Sequence, residues 1–213
     1  MRSRIRDLGM SAFVLAVTLW LAGCWTYSLQ PLYEIGDKHL TYDPALTGIW
    51  RADGDHDCEL VISADSTRQF YMIEVTAVGG SKSGDCNDPG AGKYEAHLEQ
   101  LGTSRFLDAS PRGDAESRGF IAPHTIFKVE TTSNSLSLTP MSDSWLCNAT
   151  PDVTRNFGQC VRDSDSDPNP DFFITASTAV LQEFIQRHAD DENLFYTPDS
   201  ALWHRAQASG ASK

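Results

Sequence analysis

Six histidines, 29 acidic residues and five cysteines are the groups in this 213-residue chain that could do chemistry. Glu95, His97 and Glu99 alternate with Tyr94, Ala96 and Leu98, so on a strand the imidazole and both carboxylates share one face. Such a trio could hold a metal or act as a general base. The alternation makes the Tyr94 face the interior, and the polar face is then expected to be solvated. His124 stands at the start of a strand pattern, and His188 on an apolar helix face, where a packed histidine is expected. Asp163, Asp165 and Asp167 occupy positions 1, 3 and 5 of a calcium-loop pattern. Pro168 then replaces the required glycine and Ile174 the bidentate glutamate, so a solvated loop is expected there and at Asp53–Asp57. H-E-x-x-H, G-x-S-x-G, the P-loop and G-x-G-x-x-G are all missing. No catalytic residue, metal or cofactor is assigned, and an enzyme is not expected.

The cysteines carry a different chemistry. Cys58, Cys86, Cys147 and Cys160 form an even set in a chain that looks exported, which argues for two disulfides. Three connectivities exist. Cys58–Cys86 and Cys147–Cys160 are preferred because each pair is near in sequence and encloses a turn-rich segment. The fifth, Cys24, ends a leader: Arg2, Arg4 and Arg6, then an apolar run from Leu8 to Ala22. That run is shorter than the roughly 20 residues of a membrane span. Its end, Leu21-Ala22-Gly23-Cys24, resembles the bacterial lipoprotein lipobox. The resemblance implies cleavage before Cys24, a lipid on its sulfur, and a partner in the membrane itself. Trp25 rather than aspartate follows, which by the same resemblance implies the outer membrane, with the body facing the periplasm.

Cleavage would remove three arginines and one aspartate, taking Lys+Arg from 17 to 14 and Asp+Glu from 29 to 28, for a net charge of −14. A surface of that sign repels nucleic acid, which is excluded as a partner.

These groups must be positioned by strands. Leu60 and Ile62, then Tyr71, Ile73, Val75 and Ala77, then Tyr94, Ala96 and Leu98 each alternate with polar neighbours. A short apolar strand holds Phe106 and Leu107; Thr125, Phe127 and Val129 alternate again, followed by Leu136 and Leu138. Polar glycine-rich loops separate them. Leu181, Phe184, Ile185 and His188 then fall on one helical face, with Ser177 or Thr178 available to cap it. The segment after it, to Ala206, is expected to add helix. The organisation read from this is a leader over 1–23, an extended tether over 24–46, a β-barrel-like domain over 47–175, and a helical segment of that domain over 176–208.

The blocks "SLQPLY", "DPALTGIW", "YEAHLEQLGTSRFLD", "PHTIFKVE", "LSLTPMSDSWL" and "FITASTAVLQEFIQRHADDENLF" resemble, in that order, a group of small bacterial lipoproteins of unassigned activity. Gly48-Ile49-Trp50 is similar to the G-x-W that opens the first strand of lipocalin-type barrels. The resemblance implies a mainly β fold: an antiparallel meander closing into a lipocalin-like, calycin-type barrel or curved sheet, with a C-terminal α-helix packed on it. It transfers no site residue. Trp50 is expected to plug one end of such a barrel. A hollow interior would be lined by Trp50, Tyr71, Ile73, Tyr94 and Phe127. Two functions follow: a lipid-anchored envelope protein binding a small apolar ligand, or a structural accessory acting through contacts with another envelope protein. A hydrolase or metal enzyme would need histidines and carboxylates converging in a cleft.

Overall fold

The computed structural model describes residues 26–34, 36–52, 58–65, 67, 69–77, 92–112, 122–149, 155–162, 170–195 and 202–206. Eight antiparallel strands close into a barrel. In chain order they are β3 (Gly48–Ala52), β4 (Cys58–Asp65), β5 (Phe70–Ala77), β6 (Lys93–Leu101), β7 (Ser104–Arg112), β8 (Thr125–Thr131), β9 (Ser135–Pro140) and β12 (Leu202–Arg205). Each neighbour in that series pairs with the next, and β12 fills the gap between β9 and β3. Closure leaves no long unpaired edge, the usual liability of a sheet.

Outside the barrel lies a three-stranded sheet. In it β11 (Asp171–Ile174) pairs with β1 (Tyr27–Ser28) in parallel and with β10 (Gly158–Val161) in antiparallel fashion. Helix α1 (Asp143–Asn148) follows β9, and α2 (Thr178–His188) follows β11. The side chain of Ser142 accepts from Trp145 N–H and so caps α1. Ser177 is the N-cap of α2 without a side-chain bond; Thr178 Oγ1 donates instead to Pro31 O at 2.8 Å. His188 packs against the rings of Phe184 and Trp145.

Two of the expected boundaries are corrected. Residues 202–205 form a strand, not helix, and the barrel closes only with it, so a unit ending at 175 would lack its last stave. Only a few residues are involved, too few for a period to show in sequence. Residues 26–34 and 36–46 are also docked rather than free. Thr26, Ser28, Leu32 and Leu46 are buried, and the segment contributes β1, β2 (Leu40–Thr41) and a 3-10 turn at Pro44–Leu46. It runs as a strap over the outside of β8, β7 and β6. β6 shares one edge between β5, which takes residues 93–96, and β2, which takes 98 and 99.

Trp50 sits at the end of the barrel where the strap enters. It is fully buried and its Nε1–H donates to Leu46 O at 2.9 Å. The Arg205 guanidinium lies 4.2 Å from the indole ring. It also donates to Thr47 O at 3.0 Å, Ala45 O at 2.7 Å and Ser133 O at 3.2 Å. Gly48 makes this approach feasible. Its φ is +141°, and a Cβ there would stand 2.7 Å from Arg205 Nη1. The G-x-W spacing thus has a physical reason: the glycine clears space for the cation that covers the tryptophan two residues on.

Arg205→Ala removes a cation–π contact and three hydrogen bonds from a charged donor, and is expected to cost about 2–4 kcal/mol in urea unfolding. Arg205→Lys is expected to recover little, because a single ammonium cannot span three carbonyls and a ring face. A loss below about 0.5 kcal/mol for Arg205→Ala would contradict the packing role, since that is the scale of an ordinary surface substitution.

Candidate functional site

On β5, β6, β8 and β9 the inward side chains lose burial toward the end away from the strap's 3-10 turn, from Ile73 to Val75, Ala96 to Tyr94, Val129 to Phe127 and Leu136 to Leu138, whereas on β4 Ala64, nearest the turn, is the less buried one. At the strap end, Trp50, Leu60, Ile62, Tyr71, Ile73, Ala96, Leu98, Leu107, Val129 and Leu136 form one packed apolar cluster, each no more than 5% exposed. Their neighbours one step toward the other end, Val75, Tyr94, Phe127, Leu138 and Trp203, are only half-buried. The barrel therefore has a packed floor and an apolar upper half. The floor is closed by the 3-10 turn and the strap. Asp43 N–H donates to Tyr71 Oη at 2.7 Å, and Tyr42 stacks on Tyr71 at 5.6 Å. Burial pushes the Tyr71 phenol up to about 12, and raises Tyr94 as well, so both rings stay neutral. Among the expected pocket residues, Trp50, Tyr71 and Ile73 belong to the floor. Tyr94 and Phe127 belong to the upper half, and Val75, Leu138 and Trp203 join them there.

The outer face of β6 and β7 holds a second set of groups. Glu95, His97 and Glu99 do share a face, as their spacing requires. The expectation that this face is solvated is corrected: Glu99 is fully buried, and the His97 and Glu95 side chains are 13% and 23% exposed. The strap and α2 cover it. Tyr33 stacks on His97 at 3.9 Å, and Gln182 Nε2 donates to Leu32 O and to Asp37 Oδ2. Directly opposite His97 on β7 stands Asp108, 1% exposed. Both its oxygens are used: Leu32 N–H donates at 2.6 Å, and His124 Nδ1 lies 2.7 Å away. His97 Nε2 lies 3.3 Å from Glu95 Oε1, and Glu95 also pairs with Arg112.

Glu99 differs from these. Neither carboxyl oxygen has a hydrogen-bond partner, and His97 Nδ1 is likewise unpartnered. Burial, with the Asp108 and Asp37 carboxylates nearby, pushes Glu99 up to about 9. Burial with the same acidic neighbourhood takes Tyr33 to about 12. Asp37 is held below its usual range, first by the His39 N–H it accepts. The arrangement can hold a neutral carboxyl in a dry interface. Among the described residues no group of three His, Cys, Asp or Glu side chains is arranged to hold a metal ion.

The remaining assignments divide by position. Cys147 is bonded to Cys160, as the short spacing suggested. Cys58 is disulfide-bonded, while Cys86, its expected partner, lies outside the described residues. Cys24, the acidic run at 53–57 and residues 163–169 lie outside them too. A cleft of about 470 Å³ lies between the outer face of β8–β9 and the turn after α2, lined by Lys128, Glu130, Asp190, Asp191 and Glu192 among others. There Lys128 Nζ donates to Ala189 O, and Asp191 accepts the Asn193 N–H, which lowers its pKa. Among the described residues no helix is long and apolar enough to cross a membrane. In comparisons with known proteins, no family model, no curated protein and no solved structure matches the chain.

Glu99 gives a pH dependence with a definite sign. In the fold it keeps its proton to about pH 9, whereas a free glutamate loses it near 4.5. Stability from the neutral carboxyl is complete below about 4.5 and is lost progressively as pH rises toward 9. Glu99→Gln, which cannot ionise, is expected to unfold at higher denaturant than the parent at about pH 8, by roughly 1–3 kcal/mol, and to match it near pH 4. Equal stability of the two chains at both pH values would contradict the burial of this group.

Proposed function

We propose that the protein is a lipid-anchored envelope protein whose barrel holds a small apolar or amphipathic ligand in its upper half. The observation that carries the ligand reading is the burial gradient: one end is packed solid around Trp50, and the other presents Val75, Tyr94, Phe127, Leu138 and Trp203 incompletely covered. Pockets for such ligands are concave, mostly apolar and equipped with a few polar groups. The neutral Tyr94 hydroxyl is a polar group of that kind. The deep interior takes no part, because side chains already fill it.

The anchor reading is supported by the sequence order: basic start, short apolar run and Leu-Ala-Gly-Cys at Cys24. The accessory-protein alternative would be served by a contiguous exposed apolar patch. The exposed large hydrophobics among the described residues are Ile49, Val161 and Val180, on three different elements, and Leu29, just after β1. That distribution favours the ligand reading.

Titration with the uncharged fluorophore N-phenyl-1-naphthylamine tests it. The expected result is saturable binding that Phe127→Asp weakens by about tenfold or more, the scale of placing a charge in an apolar contact. Ile49→Asp, on the outer face of β3, is expected to leave binding unchanged, and circular dichroism confirms that both variants fold. Absence of saturable binding, or equal binding by the folded Phe127→Asp protein, would overturn the reading.

A further inference from the structure

The strap begins at the upper end of the barrel, opposite the floor. Thr26 is 3% exposed, and its hydroxyl is bonded to Met141 O at 3.1 Å and to the Asp143 carboxyl. Met141 immediately follows Pro140, the last residue of β9, and β9 leaves the barrel at the end opposite the floor. Ser28 exchanges two backbone hydrogen bonds with His124, both 2.8 Å, and His124 immediately precedes β8, which enters at that same end. Two independent contacts thus fix the start of the strap beside the rim formed by β8 and β9.

Cys24 is two residues before Thr26, and two residues of chain span at most about 7 Å. β6, at nine residues, is the scale of the barrel wall. At roughly 3.3 Å per residue it is about 30 Å along the strand, or some 20–25 Å along a tilted barrel axis. A leash this short cannot carry the anchor round to the floor. We infer that the upper end of the barrel, where the strap starts, is the end that faces the bilayer holding the anchor. The inference rests on the reading that Cys24 carries the lipid.

The two ends of the barrel interior also differ. The incompletely covered apolar side chains Val75, Tyr94, Phe127, Leu138 and Trp203 are all in the upper half. The floor end presents the polar hairpin Thr132–Asn134 and the Arg205 guanidinium. An apolar chain leaving the bilayer meets the upper half of the barrel first. The membrane, rather than bulk solvent, is then the source of the ligand.

The test uses the full chain, produced with its leader, purified in mild detergent and reconstituted into phosphatidylethanolamine–phosphatidylglycerol vesicles. Mass spectrometry first reads the acyl mass on Cys24. An azide-bearing amino acid then places a small donor dye at Lys93, at the upper end, or at Asn134, on the floor, both exposed. Energy transfer to a short-range acceptor on lipid headgroups is measured for each. Transfer from position 93 is expected to be at least about twofold stronger, because the two sites are separated by roughly the length of a strand. A Gly-Ser linker inserted between Trp25 and Thr26 is expected to shrink that difference, since a flexible chain lets the body reorient. An acylated protein with equal transfer from both sites, or stronger transfer from 134, overturns the orientation and leaves the anchor standing. Absence of any acyl mass on Cys24 removes the anchor reading, and the orientation with it.

Discussion

The stacking of Arg205 over Trp50 is the contact on which the fold most depends. It joins parts of the chain that are far apart in sequence. Trp50 opens the barrel and bonds to the 3-10 turn before it; Arg205 belongs to the last stave. Through its three carbonyl contacts the same guanidinium ties the turn at 45–47 to the β8–β9 hairpin. Closing a barrel across so long a sequence separation costs chain entropy, and that cost needs contacts made only when the ends meet. A buried indole under a fixed planar cation supplies one. Once the floor is closed, the next layer of side chains packs against it, and on β5, β6, β8 and β9 that layer is only half-buried.

The second constraint lies outside the barrel. The strap and α2 cover the outer face of β6–β8, so the barrel wall is buried on both sides there. Phe106 and Ile126 point into this outer core with Leu181, Phe184 and Ile185 from α2. The polar members of the wall respond in different ways. Asp108 fixes the path of the strap by accepting from Leu32 and holding His124. Glu99 has no such partner, and a buried carboxyl without one remains protonated rather than carry an unpaired charge. Asp143 is an intermediate case. It is bonded to Thr26 at the start of the strap, leaves one oxygen unpartnered, and is pushed by burial up to about 6.

Much of the barrel was legible in the alternation. Leu60 and Ile62, Tyr71 and Ile73, Ala96 and Leu98, and Val129 and Leu136 all face the interior as a period of two requires. The pairing Cys147–Cys160 followed from spacing. Three features were not legible, each for a physical reason. β12 is four residues long and shows no period. The strap satisfies its backbone through distant partners, Asp108, His124 and Gln182, which leave no mark on its own sequence. The outer face of β6 looked wet because Glu95, His97 and Glu99 are polar, and composition cannot show what lies on top. A signal for the covering layer did exist on the next strands. Phe106 beside Leu107, and Ile126 beside Phe127, place apolar groups on both faces of the wall, which a strand with one wet face does not do.

The proposed function rests on asymmetry inside the barrel: a floor of fully buried side chains and an upper half whose apolar side chains are only half-buried. NMR shifts of side-chain methyl and aromatic groups during titration with a saturated fatty alcohol test that claim most directly. The account predicts shifts concentrated at Val75, Tyr94, Phe127, Leu138 and Trp203, with Trp50, Leu60 and Leu98 unmoved. Shifts centred on Trp50 and its neighbours, or confined to the outside of the barrel, would contradict it.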